Sequence, residues 1–232
     1  MSTNITASNE GVIGFLGFSV ANWGTIRNAT SGNFATTYTS DSDVSAAVQA
    51  AFEAARFGSS GLITRTFLFF DTSSITGTIT AAQLQVAGYQ AATGATVCVE
   101  STAWGGGGGT TTLTNAMYND VDFSRTYSSQ LATWSTSGYN TFTLNNNAIS
   151  DMNSNSYLNV AIINSTYDQQ NVAPSNTQVD NGIRFQDGSF PIRLVITSSA
   201  PGYEEDVIGV DSDDIAKIIG VETAAVELVI GV

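Results

Sequence analysis

The chain has no histidine, a single cysteine, three prolines and one lysine in 232 residues. Without histidine there is no imidazole acid-base catalysis, no Ser-His or Cys-His nucleophile pair and almost no route to a zinc site, so any chemistry would fall to carboxylates, tyrosine or arginine. Cys98 has no partner for an internal disulfide, and in TGATVCVES it alternates as a strand residue, which marks it as a buried structural thiol. Cations are scarce: seven Lys and Arg stand against twenty Asp and Glu, for a formal charge of −13. Phosphate binding needs neutralising cations, so neither nucleic acid nor an anionic membrane surface is an expected partner. Long apolar runs are missing as well. Met1 is followed by Ser, Thr and Asn, and the stretch Gly11 to Val20 is short and broken by glycines, so neither a signal peptide nor a membrane span is expected and synthesis is placed in a cytoplasm.

The charge that is present divides unevenly. Residues 1–200 hold six Arg, no Lys and twelve acids, a net −6, while residues 201–232 hold Lys217 and eight acids, a net −7. The first part is rich in Ser, Thr and Asn yet keeps aliphatic and aromatic residues at globular levels, a composition for many short strands rather than disorder. Period-two alternation recurs from about residue 11 to 199. In ITRTFLFF, Ile63 to Phe70, both faces are largely apolar, as in a central strand of a sandwich. TITAAQLQVAGY, ATVCVES, YNTFTLN, YLNVAIIN, GIRFQ and PIRLVITS follow, separated by turn-rich breaks. Eight or more such strands give an all-β fold, a jelly-roll β-sandwich over 11–199, preceded by an arm at 1–10 and followed by a linker at 200–206. Asp43 to Phe57 is ambiguous, because its alanines favour helix while Val44, Val48 and Phe52 also fit alternate strand positions. Ile149 to Met152 reads as one helical turn with Asn147 as its N-cap and Asp151 near its N-terminal end. The run Gly105 to Gly109 lacks the Lys and Ser/Thr of a phosphate-binding loop and reads as a surface loop.

From residue 207 to 232 the chain repeats with a period of eleven: VIGVDSDDIAK, IIGVETAAVEL, VIGV. The aliphatic set is Val207, Ile208, Val210, Ile215, Ile218, Ile219, Val221, Val226, Val229, Ile230 and Val232. A glycine inside each β-branched cluster disfavours a continuous helix. Ordering each residue costs about 1–2 kcal/mol, and a segment this short has no second face to pack on, so the stripe calls for partners. Identical tails around a common axis would give a homotrimer, with Asp211, Asp213, Asp214, Glu222 and Glu227 facing water; docking as an anchor on another protein and folding back on the sandwich are the alternatives.

RTFLFFDTSSITGTITAAQLQVAGY, Arg65 to Tyr89, resembles the signature of DNRLRE-type jelly-roll domains: an Arg-led strand, an FD-T/S-S-I segment, a short Gly-containing turn and an A-x-L-x-V/L strand. GYNTFTLNNNAIS and YLNVAIINSTYD resemble that family's later strands, so the likeness spans about residues 60–170. It implies a carbohydrate-binding-module-like sandwich of the kind found in secreted polysaccharide-processing proteins and in phage virion proteins. The tail is similar to the repeated I-x-x-[IV]-x-G-V ends of tailed-phage structural proteins.

Candidate sites follow from residue type. Arg65 and Asp71 flank the signature strand and are expected to form a structural ion pair. No metal and no cofactor is expected, and Asp71, Asp168 and Asp187 with the carbonyls around them are the oxygen ligands a structural calcium ion would have to use, though without the spacing of a calcium loop. Trp104, beside the glycine run, and Trp134, in polar LATWSTSG, are the candidates for stacking on a glycan. Glu100, Asp120, Asp122 and Asp168 are the carboxylates from which a glycosidase pair would have to come. The expected function is non-enzymatic: a bacteriophage virion structural protein at the particle surface, a fibre, decoration or receptor-contacting element, with other virion proteins and a host-surface glycan as partners. The alternatives are a carbohydrate-binding module or surface adhesin, and a subunit of an extracellular filament.

Overall fold

In a computed structural model of the chain, the structure describes residues 1–18, 22–38, 44–55, 58–91, 94–105, 112–175, 181–185 and 188–199. The strand read from ITRTFLFF is the middle of a longer one, Gly58–Asp71. Counting along the chain, the strands are β1 (Ser2–Thr6), β2 (Asn9–Phe18), β3 (Phe34–Tyr38), β4 (Val44–Ala47), β5 (Gln49–Ala55), β6 (Gly58–Asp71), β7 (Ile79–Ala87), β8 (Thr96–Ser101), β9 (Val121–Thr126), β10 (Tyr139–Thr143), β11 (Tyr157–Asn164), β12 (Gly182–Phe185) and β13 (Arg193–Ser198). Two helices, α1 (Trp23–Arg27) and α2 (Asn146–Asn155), interrupt them.

The fold is an all-β antiparallel sandwich. One sheet has the order β1-β13-β7-β10. The other runs β3-β2-β6-β11-β8-β9, with β5 also on β6, and a β12-β4 ribbon stands beside them. Along β6, one edge pairs with β2 from Ser60 to Phe69, while the other is shared between β5, opposite Gly58 to Thr64, and β11, opposite Thr66 to Asp71. The chain passes repeatedly from one sheet to the other and brings its first and last described strands side by side, Ser2 opposite Thr197. The Met1 ammonium donates to the Ser198 carbonyl at 2.6 Å, which pins that corner.

Alternation decides what each face buries. Leu68 and Phe70 of β6, Leu158, Val160 and Ile162 of β11, and Cys98 of β8 face the four-stranded sheet, where Leu84, Val86, Phe142, Leu194 and Ile196 meet them in the inner core. Each Leu, Ile or Phe buried there contributes roughly 1.5–3 kcal/mol. The opposite face, Ile63, Phe67, Phe69, Val97, Val99, Ala161 and Ile163, meets no second sheet among the described residues. Its cover is α1, a 3-10 turn at Asn115–Asn119 and a π-helical turn at Ser165–Gln169, which contribute Trp23, Ile26, Tyr118 and Tyr167 to an outer core.

One open alternative is settled and one local expectation is corrected. Residues 44–55 form β4 and β5 rather than a helix: each has a strand waiting for it, β12 and β6, and pairing overrides alanine's helical propensity. Asp43, Arg56 and Phe57 of that stretch lie outside the described residues. The helix after LNNN has ten residues, not one turn, and its N-cap is Asn145, whose side chain accepts from the N–H groups of Asn147 and Ala148. Asp151 therefore sits mid-helix. The helix ends at Ser156, in the left-handed conformation with φ 60°, and buries Ala148 and Met152 in the inner core. Gly88 is required where it stands, because the Ser135 carbonyl oxygen lies where a Cβ would be. The linker 200–206 and the whole repeat, Val207 to Val232, lie outside the described residues.

Candidate functional site

Arg65 is fully buried on the outer face of β6, and its partner is Asp168, not Asp71. Residues 65 and 71 share a strand face but stand six positions apart, about 20 Å at strand rise, too far for contact. Asp168, on the π-helical turn, receives Arg65 Nε at 2.7 Å on Oδ2 and Nη2 at 2.8 Å on Oδ1, a two-pronged pair. The remaining Arg65 donors reach the carbonyls of Tyr118, at 2.6 Å, and Arg27, at 2.8 Å, while the guanidinium stacks 4.0 Å from the Tyr118 ring centroid. Burial alone would lower the Arg65 pKa; Asp168 beside it outweighs that and leaves it raised. Arg27 donates to the Asp168 carbonyl at 2.8 Å and lies 3.4 Å over the Phe123 ring. Arg65 thus fastens α1, the 3-10 turn and the π-helical turn to the sheet. Asp71 instead lies exposed and accepts from the Ser73 N–H, whose side chain and backbone hold its carboxyl below the usual range.

The calcium and glycan expectations change with these positions. Asp168 is committed to arginine, Asp71 caps a turn and Asp187 lies outside the described residues, among which no group of three or more acids or cysteines is arranged to hold a metal. Trp104 is fully buried in the outer core and Trp134 is 9% exposed in the inner core, its Nε1 donating to the Gly182 carbonyl at 3.1 Å, so neither ring face is open for stacking. Both Trp side chains fill core positions beside polar loops, which is why their sequence surroundings point to exposure.

The structure does gather three of the four singled-out carboxylates. Glu100, Asp120 and Asp122 line a groove of about 530 Å³ with Ser101, Thr102 and Ser124 at the β8–β9 end of the large sheet, whereas Asp168 belongs to the arginine cluster. The pairing of β8 with β9 slips between Val99 and Glu100: Val99 stands opposite Thr126, but Glu100 stands opposite Asp122. That irregularity presents both Asp122 and Arg125 to Glu100. Arg125 Nε lies 2.7 Å from Glu100 Oε2, a charge contact rather than an aligned hydrogen bond, and Nη2 donates to Asp151 Oδ1 at 2.6 Å. Tyr127 donates its hydroxyl proton to Asp151 Oδ2 at 2.6 Å. Burial pushes the Glu100 carboxyl up, Arg125 opposes the shift, and Asp151 and Asp122 add to it. Burial pushes Asp120 up too, while the Ser124 hydroxyl and N–H hold Asp122 down.

A smaller pocket of about 150 Å³ opens where β8 stops and β11 begins, sharing Glu100, Ser101 and Thr102 with the groove. Asn159 lines it, 6% exposed, with Nδ2 donating to the Gly105 carbonyl at 2.6 Å and a buried Oδ1 that has no hydrogen-bond partner. Leaving such an acceptor empty costs about 1–3 kcal/mol, and it shares that state with Thr66 Oγ1, Thr72 Oγ1, Thr96 Oγ1, Trp104 Nε1 and Asn181 Oδ1. Sequence reading passed over Arg125 and Asn159 and placed Asp151 only near a helix end. The register slip that brings Arg125 to Glu100 carries no sequence signature, but an asparagine within apolar YLNVAII is a visible anomaly. No protein-family model matches the chain, and no curated protein matches it.

Proposed function

We propose that the chain is a non-enzymatic structural protein of a bacteriophage particle surface, in which a sandwich body is joined to its copies, as a homotrimer, through the C-terminal eleven-residue repeat. The observation that carries this is the self-sufficiency of the body. Among the described residues both cores are built from residues 1–199, and the last described strand is already paired with β1 and β7, so the reading gives the aliphatic stripe from Val207 to Val232 partners outside those cores. Each of those side chains gains roughly 1.5–3 kcal/mol by leaving water, and a second and third copy of the same stripe supply a matching surface. The acids of the repeat and the net −7 of residues 201–232 keep the segment soluble before assembly. The resemblance of the repeat to the ends of tailed-phage virion proteins is what supports a position on a particle.

Mass spectrometry of purified particles, joined to gold labelling with an antibody raised against the body, tests the reading. The chain is expected as a stoichiometric component in multiples of three, labelled on intact particles. A chain found free in the lysate, at trace level in particles, contradicts it.

A further inference from the structure

We propose that the groove at the end of β7, beside the start of β10, is a docking site for the acidic stretch Asp211 to Asp214 of the same chain, held there by Arg184 and Arg193. The described arginines divide into two kinds. Arg27, Arg65 and Arg125 each lie against a carboxylate, while Arg184 and Arg193 form no ion pair among the described residues, in a chain where twenty acids face seven cations. Arg184 gives its Nε proton to the Gly88 carbonyl at 3.4 Å and lies 5.6 Å from the Tyr89 ring centroid. Arg193 gives its own to Gln85 Oε1 at 2.8 Å and lies 4.5 Å from the Tyr139 ring centroid. The Nη groups of both have no hydrogen-bond partner among the described residues, and both side chains are only half-buried. Stacking on tyrosine holds a guanidinium without using its donors, which stay open to a carboxylate.

The two arginines belong to one surface. Arg184 lines a groove of about 640 Å³ with Gly88, Ser137, Gly138 and Phe190. Phe190, 41% exposed, meets Tyr139 edge-on at 5.6 Å between centroids, and Arg193 lies over that same tyrosine. Cations set among open aromatic rings call for carboxylates with apolar neighbours. The first repeat carries both, with Asp211, Asp213 and Asp214 between Val210 and Ile215. Chain length selects these acids over the earlier ones. Ser198 of β13 stands opposite Ile79, and Gly88 at the groove lies nine residues on from Ile79, about 30 Å at strand rise. Glu204, Glu205 and Asp206 come at most seven residues after Ser199, an extended reach of about 25 Å, whereas Asp211 comes twelve after it, about 40 Å. Pro201-Gly202 supplies the turn pair that a return path needs. These acids are the face that a trimer of tails leaves in water, so the docking neither requires nor prevents that assembly.

Hydrogen exchange of the full chain, read by mass spectrometry at about 20 mM salt, tests the proposal. Amides of residues 207–214 should exchange roughly five- to tenfold more slowly than in the double variant Arg184→Gln with Arg193→Gln, as two exposed ion pairs allow. At about 0.5 M salt the difference should vanish. The triple variant Asp211→Asn, Asp213→Asn and Asp214→Asn should show the same loss and also quicken exchange at residues 136–139 and 182–190. It carries the test alone if the arginine variant fails to fold, because it leaves the body unaltered. Sedimentation should be the same with and without the substitutions, which separates docking from assembly. When isotope-labelled arginine-variant chains are mixed with unsubstituted ones, only the labelled chains should lose protection. Exchange unchanged by the substitutions, a loss that spreads through residues 218–232 or comes with altered sedimentation, or a loss shared by both chains of the mixture would overturn the proposal.

Discussion

The inner face of the seven-stranded sheet is closed by another sheet, side chain against side chain, with Leu68, Phe70, Val160 and Ile162 meeting Leu84, Phe142, Leu194 and Ile196. The outer face of the same strands is closed by short helical pieces, and there one fully buried arginine and one nearly buried aspartate stand among the apolar residues. The contrast is physical. A sheet arrives with its backbone groups already paired, so apolar fit is enough to hold it. A five-residue helix or a single turn arrives with unsatisfied ends, and Arg65 meets them by binding the carbonyls of Arg27 and Tyr118 while its charge is matched by Asp168.

Breaking the ionic side should have the largest effect. Asp168→Ala leaves the Arg65 charge buried without its partner and is expected to cost about 3–5 kcal/mol in urea unfolding. The double substitution Arg65→Met with Asp168→Leu should recover most of that, because an apolar pair needs no matching charge. Breaking the apolar side acts by cavity instead. Leu84→Ala should cost about 2–5 kcal/mol, and combined with Asp168→Ala the losses should add to within about 0.5 kcal/mol, since the two sites touch opposite faces of the sheet. A strong coupling would mean that the two cores are one.

Smaller effects sharpen the comparison at the helices. Removing the cap of α2 with Asn145→Ala should cost about 1 kcal/mol, measured by thermal unfolding. The smallest effect is pH-dependent. Asp122 is held below its ordinary value, so its contribution is complete above the unfolded carboxylate pKa near 4 and is lost as pH falls through the lower folded value. Ser124→Ala should therefore lower the unfolding midpoint slightly at pH 7 and by less at pH 2.

The inner face was legible in the sequence because its rule is local: alternation in ITRTFLFF, QLQVA and YLNVAIIN places every second residue inward whatever the partner strand is. The outer face was half legible. Arg65 on an apolar strand called for a carboxylate, but Asp168 lies 103 positions away, and only the folded path of β11 into its π-helical turn brings it there. Trp104 and Trp134 misled for a related reason, since neighbours in sequence report a loop's polarity and not which side chain the loop sends inward. Residues 44–55 were undecided between helix and strand until their pairing partners settled the matter. The polar pocket hides behind the register slip at Glu100, a departure from the alternation that made the rest readable.

The central claim is that the body is complete without the repeat and that the repeat joins copies. Sedimentation velocity on the full chain, run beside a chain ending at Ala200 and followed by thermal unfolding of both, tests it most directly. The full chain should sediment as a trimer, and the shortened chain as a monomer that still unfolds cooperatively with its body intact. A monomeric full chain, or a shortened chain that no longer folds, would contradict the account.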